Sequence, residues 1–210
     1  MLRKLFLPLL VLLTLLCTIA SARECHEFRG AGILSYAIDT NGTTQVLLSY
    51  QKGRGWTSFG GGPKMVRNLQ ENKERCETRQ ETAIRETVEE SRYLLTRTEL
   101  QQAIAISPSY PQNLTPQQFQ TFVVKIHPRA ISHFYTNSVL VGKKFGFEET
   151  SELAWFPLRN IIEHIKKGTI LKTPNNIGLW DVFEKGLKQE LKQRNIDQFF
   201  QSSSLNIKSQ

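Results

Sequence analysis

Two alternating stretches, separated by Thr40-Asn41-Gly42, constrain this chain more than any other feature. From Ala31 to Asp39, Leu34, Tyr36 and Ile38 alternate with Ser35 and Ala37; from Thr44 to Gln51, Val46, Leu48 and Tyr50 alternate in the same way. A period of two gathers the apolar residues of an extended strand on one face. Asn-Gly readily takes the positive φ angles of a tight turn. The pattern predicts two strands joined by that turn.

The rest of the chain divides by its punctuation. "GRGWTSFGGGPK" from Gly53 to Lys64 is glycine-rich, and a polar, charged segment follows to about Lys73, so a loop is expected there. From about Glu74 to Leu95 helix formers dominate, with Ala83, Ile84, Thr87 and Val88 as an apolar stripe and Glu86, Glu89 and Glu90 mainly off it. Phe119 to Ile126 is rich in β-branched and aromatic residues and reads as a buried strand. Ser151 to Leu158 reads as another strand, ending at Pro157, with a helix from about Arg159 to Lys167 behind it. Trp180, Phe183, Leu187 and Leu191 recur at helical spacing, a packing stripe. No repeat or low-complexity linker argues for a second domain.

The amino terminus sets the compartment. After Met1-Leu2-Arg3-Lys4 an apolar run from Leu5 to Leu16 leads to Ala20-Ser21-Ala22, the pattern of a secretory signal peptide over residues 1–22. The run is short for a spanning helix and holds Pro8, so no stable membrane anchor is expected. Cleavage would leave 188 residues (210 minus 22), with a domain over 23–201 and a polar tail over 202–210. The location is then secreted or periplasmic. The mature charge is +6, from 25 basic minus 19 acidic residues, which favours anionic partners without choosing among them. No basic stripe interleaved with aromatics singles out nucleic acid. Cys25 and Cys76 remain, either paired in an oxidising compartment or as two free thiols. His26, His127, His133 and His164 are scattered and show no zinc spacing. Asn41-Gly-Thr43 and Asn113-Leu-Thr115 have the form of glycosylation acceptors.

The stretch "RETVEE" at 85–90 crowds three carboxylates into five positions, and helical spacings of three and four bring Glu86, Glu89 and Glu90 to one face. Without a cation such a cluster repels itself. Extended backwards, the pattern reads Glu77, seven residues, then Arg85-Glu86-Thr87-Val88-Glu89-Glu90, with Gly60, Gly61 and Gly62 upstream. This resembles the Nudix box of diphosphate hydrolases. "FEETSELAWFPL" from Phe147 is similar to the acidic-then-tryptophan strand late in such domains, so the resemblance spans about residues 30–170. It departs from the pattern in three places. Fourteen residues, not five, separate Gly62 from Glu77; Arg92 stands where a glycine is expected, and Cys76 where glycine commonly precedes the first glutamate.

The resemblance implies an α/β/α sandwich with a mixed β-sheet. It also implies a metal-dependent hydrolase that cleaves a diphosphate linkage in a small-molecule nucleoside diphosphate derivative. Glu86, Glu89 and Glu90 would hold Mg²⁺ or Mn²⁺, since hard cations take oxygen ligands and neutralise a diphosphate against attack. Arg85 would orient Glu77 or Glu89. Gly60, Gly61 and Gly62 would let the backbone approach the phosphates. A further carboxylate, Glu148, Glu149 or Glu152, would complete the metal site or act as base, which comes from different places in different members. Pro108 and Tyr110 both lie where members handling ADP-ribose or dinucleoside polyphosphates place a proline or tyrosine. Two rival readings remain: the same fold without catalysis, binding a nucleotide or protein, and an exported nucleic-acid binder.

Overall fold

The structure, a computed structural model, describes residues 25, 27–68, 72–106, 118–136 and 150–193. The expected signal peptide, the tail, Pro108, Tyr110, Asn113, Glu148 and Glu149 lie outside these residues.

The hairpin forms as its alternation predicts. β1 (Gly30–Ile38) and β2 (Thr44–Gln51) pair antiparallel, with Ser35 opposite Leu47 and Ile38 opposite Thr44. Asp39 shapes the turn. Its Oδ1 accepts hydrogen bonds from the amides of Asn41 (2.9 Å) and Thr43 (2.8 Å), and Gly42 supplies the positive φ of 77°. β3 (Gly55–Thr57) continues on β2, while β4 (Phe59–Gly61) pairs with the first half of β1. A separate two-stranded ribbon follows, β5 (Met65–Asn68) against β6 (Lys73–Cys76). β7 (Phe119–Lys125) joins β1 in parallel, and β8 (Thr150–Pro157) joins β2 antiparallel. Among the described residues the main sheet is thus mixed and six-stranded.

Among the described residues, helices α1 (Arg79–Glu90), α2 (Arg97–Ile106), α3 (Leu158–Lys167) and α4 (Asp181–Gln193) accompany it. Strand alternation splits the core in two. Ile33, Leu47, Phe59 and Leu153 face Ala83, Ile84 and Val88 of α1 and Leu100 and Ala103 of α2. Leu34, Tyr36, Val46, Leu48, Trp56 and Phe156 face the other way, against Ile161 of α3, with Phe183 and Leu187 of α4 at the margin. The molecule is therefore mixed α/β, with helices packed on both faces of the sheet. Among the described residues no helix is long and apolar enough to cross a membrane.

Three expectations are corrected. The segment from Gly53 to Lys73 is not a plain loop: it carries β3, β4 and β5. The helix expected over Glu74–Leu95 is shorter at both ends. Lys73–Cys76 has helix-forming residues, but ribbon pairing draws it into β6, and Thr78 starts α1 with a capping box: its Oγ1 accepts from the Glu81 amide, and Glu81 Oε2 accepts from the Thr78 amide. At the other end Arg92 (φ 50°) and Tyr93 (φ 61°) turn left-handed, and the Tyr93 amide closes onto the Val88 carbonyl. The strand at Phe119 is only partly buried: among the described residues β7 pairs with β1 alone, and Phe119 is exposed.

Candidate functional site

The ribbon and α1 meet at Glu77. Its amide donates to the Lys64 carbonyl (2.9 Å), and its Oε2 accepts from the Lys64 amide (3.0 Å), so the base of the ribbon is stitched to the start of the helix. The buried carboxylate also accepts from Thr82 Oγ1 (3.2 Å) and from Arg85 twice, Nε to Oε1 at 2.8 Å and Nη2 to Oε2 at 2.9 Å. Burial pushes the Glu77 carboxyl up, but the Arg85 hydrogen bonds, the Lys64 amide and the Arg85 charge outweigh it and hold it below the usual range. A disulfide joins Cys25 to Cys76, immediately before Glu77, so of the two thiol states left open by the sequence the paired one is observed.

Arg85 is the hub. Besides the bidentate contact with Glu77, its Nη1 donates to Glu86 Oε1 (2.7 Å) and Glu89 Oε2 (3.1 Å), and its Nη2 to the Gly62 carbonyl (2.8 Å). Burial alone would lower its pKa; Glu77 and Glu86 raise it above the ordinary value, and the guanidinium stays charged. Glu86 lies against β4: a Cβ built on Gly61 would stand 2.5 Å from its Cδ and its Oε1. Burial pushes the Glu86 carboxyl up, with Glu89 adding to the effect and Arg85 and Lys64 opposing it. Glu89 is the most open of the group, its side chain 32% exposed, with Lys64 Nζ at 3.4 Å.

Glu90 turns elsewhere. It is buried, its Oε1 accepting from Gln51 Nε2 (2.8 Å) and its Oε2 from the Gly60 amide (2.9 Å). β2 and β4 separate along β1 at this end of the sheet, and the Glu90 carboxylate spans the opening between them. Gln51 in turn accepts from Arg54 Nη1 (3.1 Å). Neither Gln51 nor Arg54 stood out in the sequence, since a glutamine at a strand end carries no motif. Arg92 occupies the left-handed exit of α1; its Nη2 donates to the Thr150 carbonyl (2.8 Å) and its guanidinium lies over the Phe134 ring at 4.2 Å.

The structure thus brings together Glu77, Arg85, Glu86, Glu89 and the carbonyl of Gly62, and places Gly60 and Gly61 against Glu90 and Glu86. It does not bring Glu152 to them. Glu152 pairs with Tyr50 and alternates in step with Ala154 and Phe156, which pack on the sheet face opposite α1. Among the described residues no three His, Cys, Asp or Glu side chains are gathered as a metal site. Glu86 and Glu89, which share Arg85 Nη1, form the nearest approach to one: two hard oxygen donors, one of them partly open to solvent. Mg²⁺ commonly binds through one or two carboxylates and keeps several waters, so this donor set fits such an ion. Set against known proteins, the chain matches no family model and no curated sequence.

Proposed function

We propose that the protein is an exported, Nudix-like hydrolase that cleaves a diphosphate linkage in a nucleoside diphosphate derivative. The observation that carries this reading is the single guanidinium of Arg85 holding Glu77, Glu86 and Glu89 beside the glycine strand. Three carboxylates around Arg85 and Lys64 leave the cluster one negative charge in excess, which favours a divalent cation. Glu86 and Glu89 would hold Mg²⁺ or Mn²⁺, which neutralises the diphosphate and acidifies the attacking water. The chain's own residues do the rest. Arg85 fixes the direction of both carboxylates. Gly62, where an added Cβ would meet nothing within 4 Å, leaves the backbone open to phosphate oxygens, while Gly61 makes room for Glu86. Glu90 holds the Gly60 amide and so the position of β4. With Glu152 on the other face, Glu89 is the described carboxylate best placed to take a proton from water. Export is supported by the disulfide, which persists in oxidising compartments.

A second reading has its own support. Arg85 already bridges Glu86 and Glu89, as an internal cation would in a fold that binds a nucleotide without turnover. A panel of ADP-ribose, dinucleoside polyphosphates and nucleotide sugars, assayed with Mg²⁺, Mn²⁺ or chelator for the two phosphorylated fragments that cleavage leaves, separates the two. Hydrolysis predicts turnover lost in chelator and lowered more than about a hundredfold by Glu89→Gln. Nucleotide binding with no turnover under any metal selects the second reading.

A further inference from the structure

Resting on the reading of the glutamate cluster as a diphosphate site, the contacts extend past it to a surface guanidinium. One amide separates the two: Gln51 Nε2 donates to Glu90 Oε1 (2.8 Å), and Gln51 Oε1 accepts from Arg54 Nη1 (3.1 Å). The order is chemically forced, because arginine only donates and a carboxylate only accepts. Gln51 is buried; Arg54 is exposed.

Arg54 is held from two further directions. Its amide donates to the Gln51 carbonyl (3.0 Å), closing the turn between β2 and β3, and its guanidinium lies 5.4 Å from the centroid of the Trp180 ring. The backbone that carries that ring is itself anchored, the Trp180 amide donating to the Trp56 carbonyl (2.9 Å) and the Trp56 amide to the Gly178 carbonyl (3.1 Å). The described partners of the Arg54 side chain are an amide oxygen and an indole, neither of which carries charge. A solvent-facing cation is thereby kept two side-chain hydrogen bonds from Glu90, whose carboxylate holds the Gly60 amide. Lys64 stands at the other end of the same series, through Glu89, Arg85, Glu86, Gly61, Gly60, Glu90 and Gln51. Positive charge at both ends of the series favours an anionic ligand over the glutamates and glycines between them.

We propose that Arg54, seated between Gln51 and Trp180, forms a second phosphate subsite that takes the outer phosphate of a nucleoside diphosphate lying over Gly60 to Gly62. Arginine suits this task because its planar fork matches phosphate oxygens. Trp180 limits the freedom the guanidinium loses on binding.

The test is calorimetric titration of the full chain with ADP in Mg²⁺ at two ionic strengths. The folded Arg54→Gln variant is expected to bind ADP about tenfold more weakly and with a shallower salt dependence. Arg54→Lys recovers part of the affinity, and Trp180→Leu weakens binding while leaving the charge in place. An unchanged ADP affinity in Arg54→Gln overturns the subsite, as does failure of the unsubstituted chain to bind ADP. The hydrolase reading fails separately: Arg54-dependent ADP binding without turnover of any panel substrate keeps the subsite and removes the enzyme, whereas turnover whose KM ignores Arg54→Gln does the reverse.

Discussion

Adding one methyl group at Gly61 tests the site directly. In Gly61→Ala the new Cβ would lie 2.5 Å from the Cδ and Oε1 of Glu86, inside contact distance, so the carboxylate must swing away. What moves is the end of a flexible side chain, and the backbone can stay. The loss is then the hydrogen bond from Arg85 Nη1 to Glu86 Oε1, 2.7 Å long and largely shielded from solvent. A hydrogen bond to a charged partner contributes about 1.5–3 kcal/mol. Alanine offsets about 0.4–1 kcal/mol of that by restricting the unfolded chain. The net expectation is a loss of about 1–2 kcal/mol; each kcal/mol lowers Tm by about 2–4 °C in a chain of this size. Gly62 is the matched control, for a Cβ there meets nothing within 4 Å, and Gly62→Ala should be neutral or about 0.5 kcal/mol stabilising. Urea denaturation of both variants, with unchanged m-values, gives the comparison. Equal stabilities, or Gly61→Ala the more stable, would refute the placement of Glu86 against β4.

Arg85→Gln leaves the buried Glu77 without its bidentate partner, and a loss of about 3–5 kcal/mol is expected at neutral pH. Since Arg85 helps to hold the Glu77 pKa down, the gap between the natural chain and this variant should narrow in acid, as protonation removes the charge that Arg85 balances; urea midpoints at pH 7 and pH 4 check this. Glu81, paired with Arg75 and capping α1, has its pKa lowered to about 2 from 4.5, so its contribution is present above pH 4.5 and fades as pH falls towards 2. Glu86 acts with the opposite sign, its raised pKa favouring the folded state in acid, but the lowered pKa of Glu77 acts in the same sense as Glu81, so Glu81→Gln should flatten the acid loss only in part, as denaturation curves between pH 2 and 5 would register. The Cys25–Cys76 bond closes a loop of sequence separation 51, and chain entropy sets its contribution near about 4 kcal/mol; Cys25→Ser with Cys76→Ser, or dithiothreitol on the natural chain, should lower Tm substantially, and an unchanged Tm would refute it.

Local signals carried much of the architecture. The alternation from Leu34 to Tyr50 and the apolar stripe of α1 are patterns of two and about 3.6, and each element's own residues declare them. The ribbon was hidden because β5 and β6 owe their strand state to each other: Lys-Glu-Arg-Cys prefers a helix in isolation, and only the pairing of Met65 with Cys76 and Asn68 with Lys73 overrides that preference. The early start expected for α1 follows from the same oversight, although Thr78 and Glu81 stand three residues apart in the spacing of a capping box. Within the site, Arg85 with Glu77 was readable because a helix and its entry fix both. Gln51 was not, since it reaches Glu90 across 39 residues of sequence through the sheet. The opposite placement of Glu152 required knowing which way β8 alternates.

Arg92 shows why a departure from a motif needs its partners before it can be weighed. A left-handed φ of 50° costs a side-chain-bearing residue on the order of 1 kcal/mol relative to glycine. The guanidinium recovers this through the Thr150 carbonyl, 58 residues away, and the Phe134 ring. Thr150 is also the partner of Gln51 where β8 shifts register against β2, and Gln51 holds Glu90, two residues before Arg92. The contacts form a closed circuit from Glu90 through Gln51 and Thr150 back to Arg92. A glycine at this position would end α1 with less strain but leave that circuit open. The arginine therefore fastens the carboxyl end of the glutamate helix to β8, whose Thr150 pairs with Gln51 of β2, and these contacts offset its strain on the side of the cluster that Arg85 does not reach.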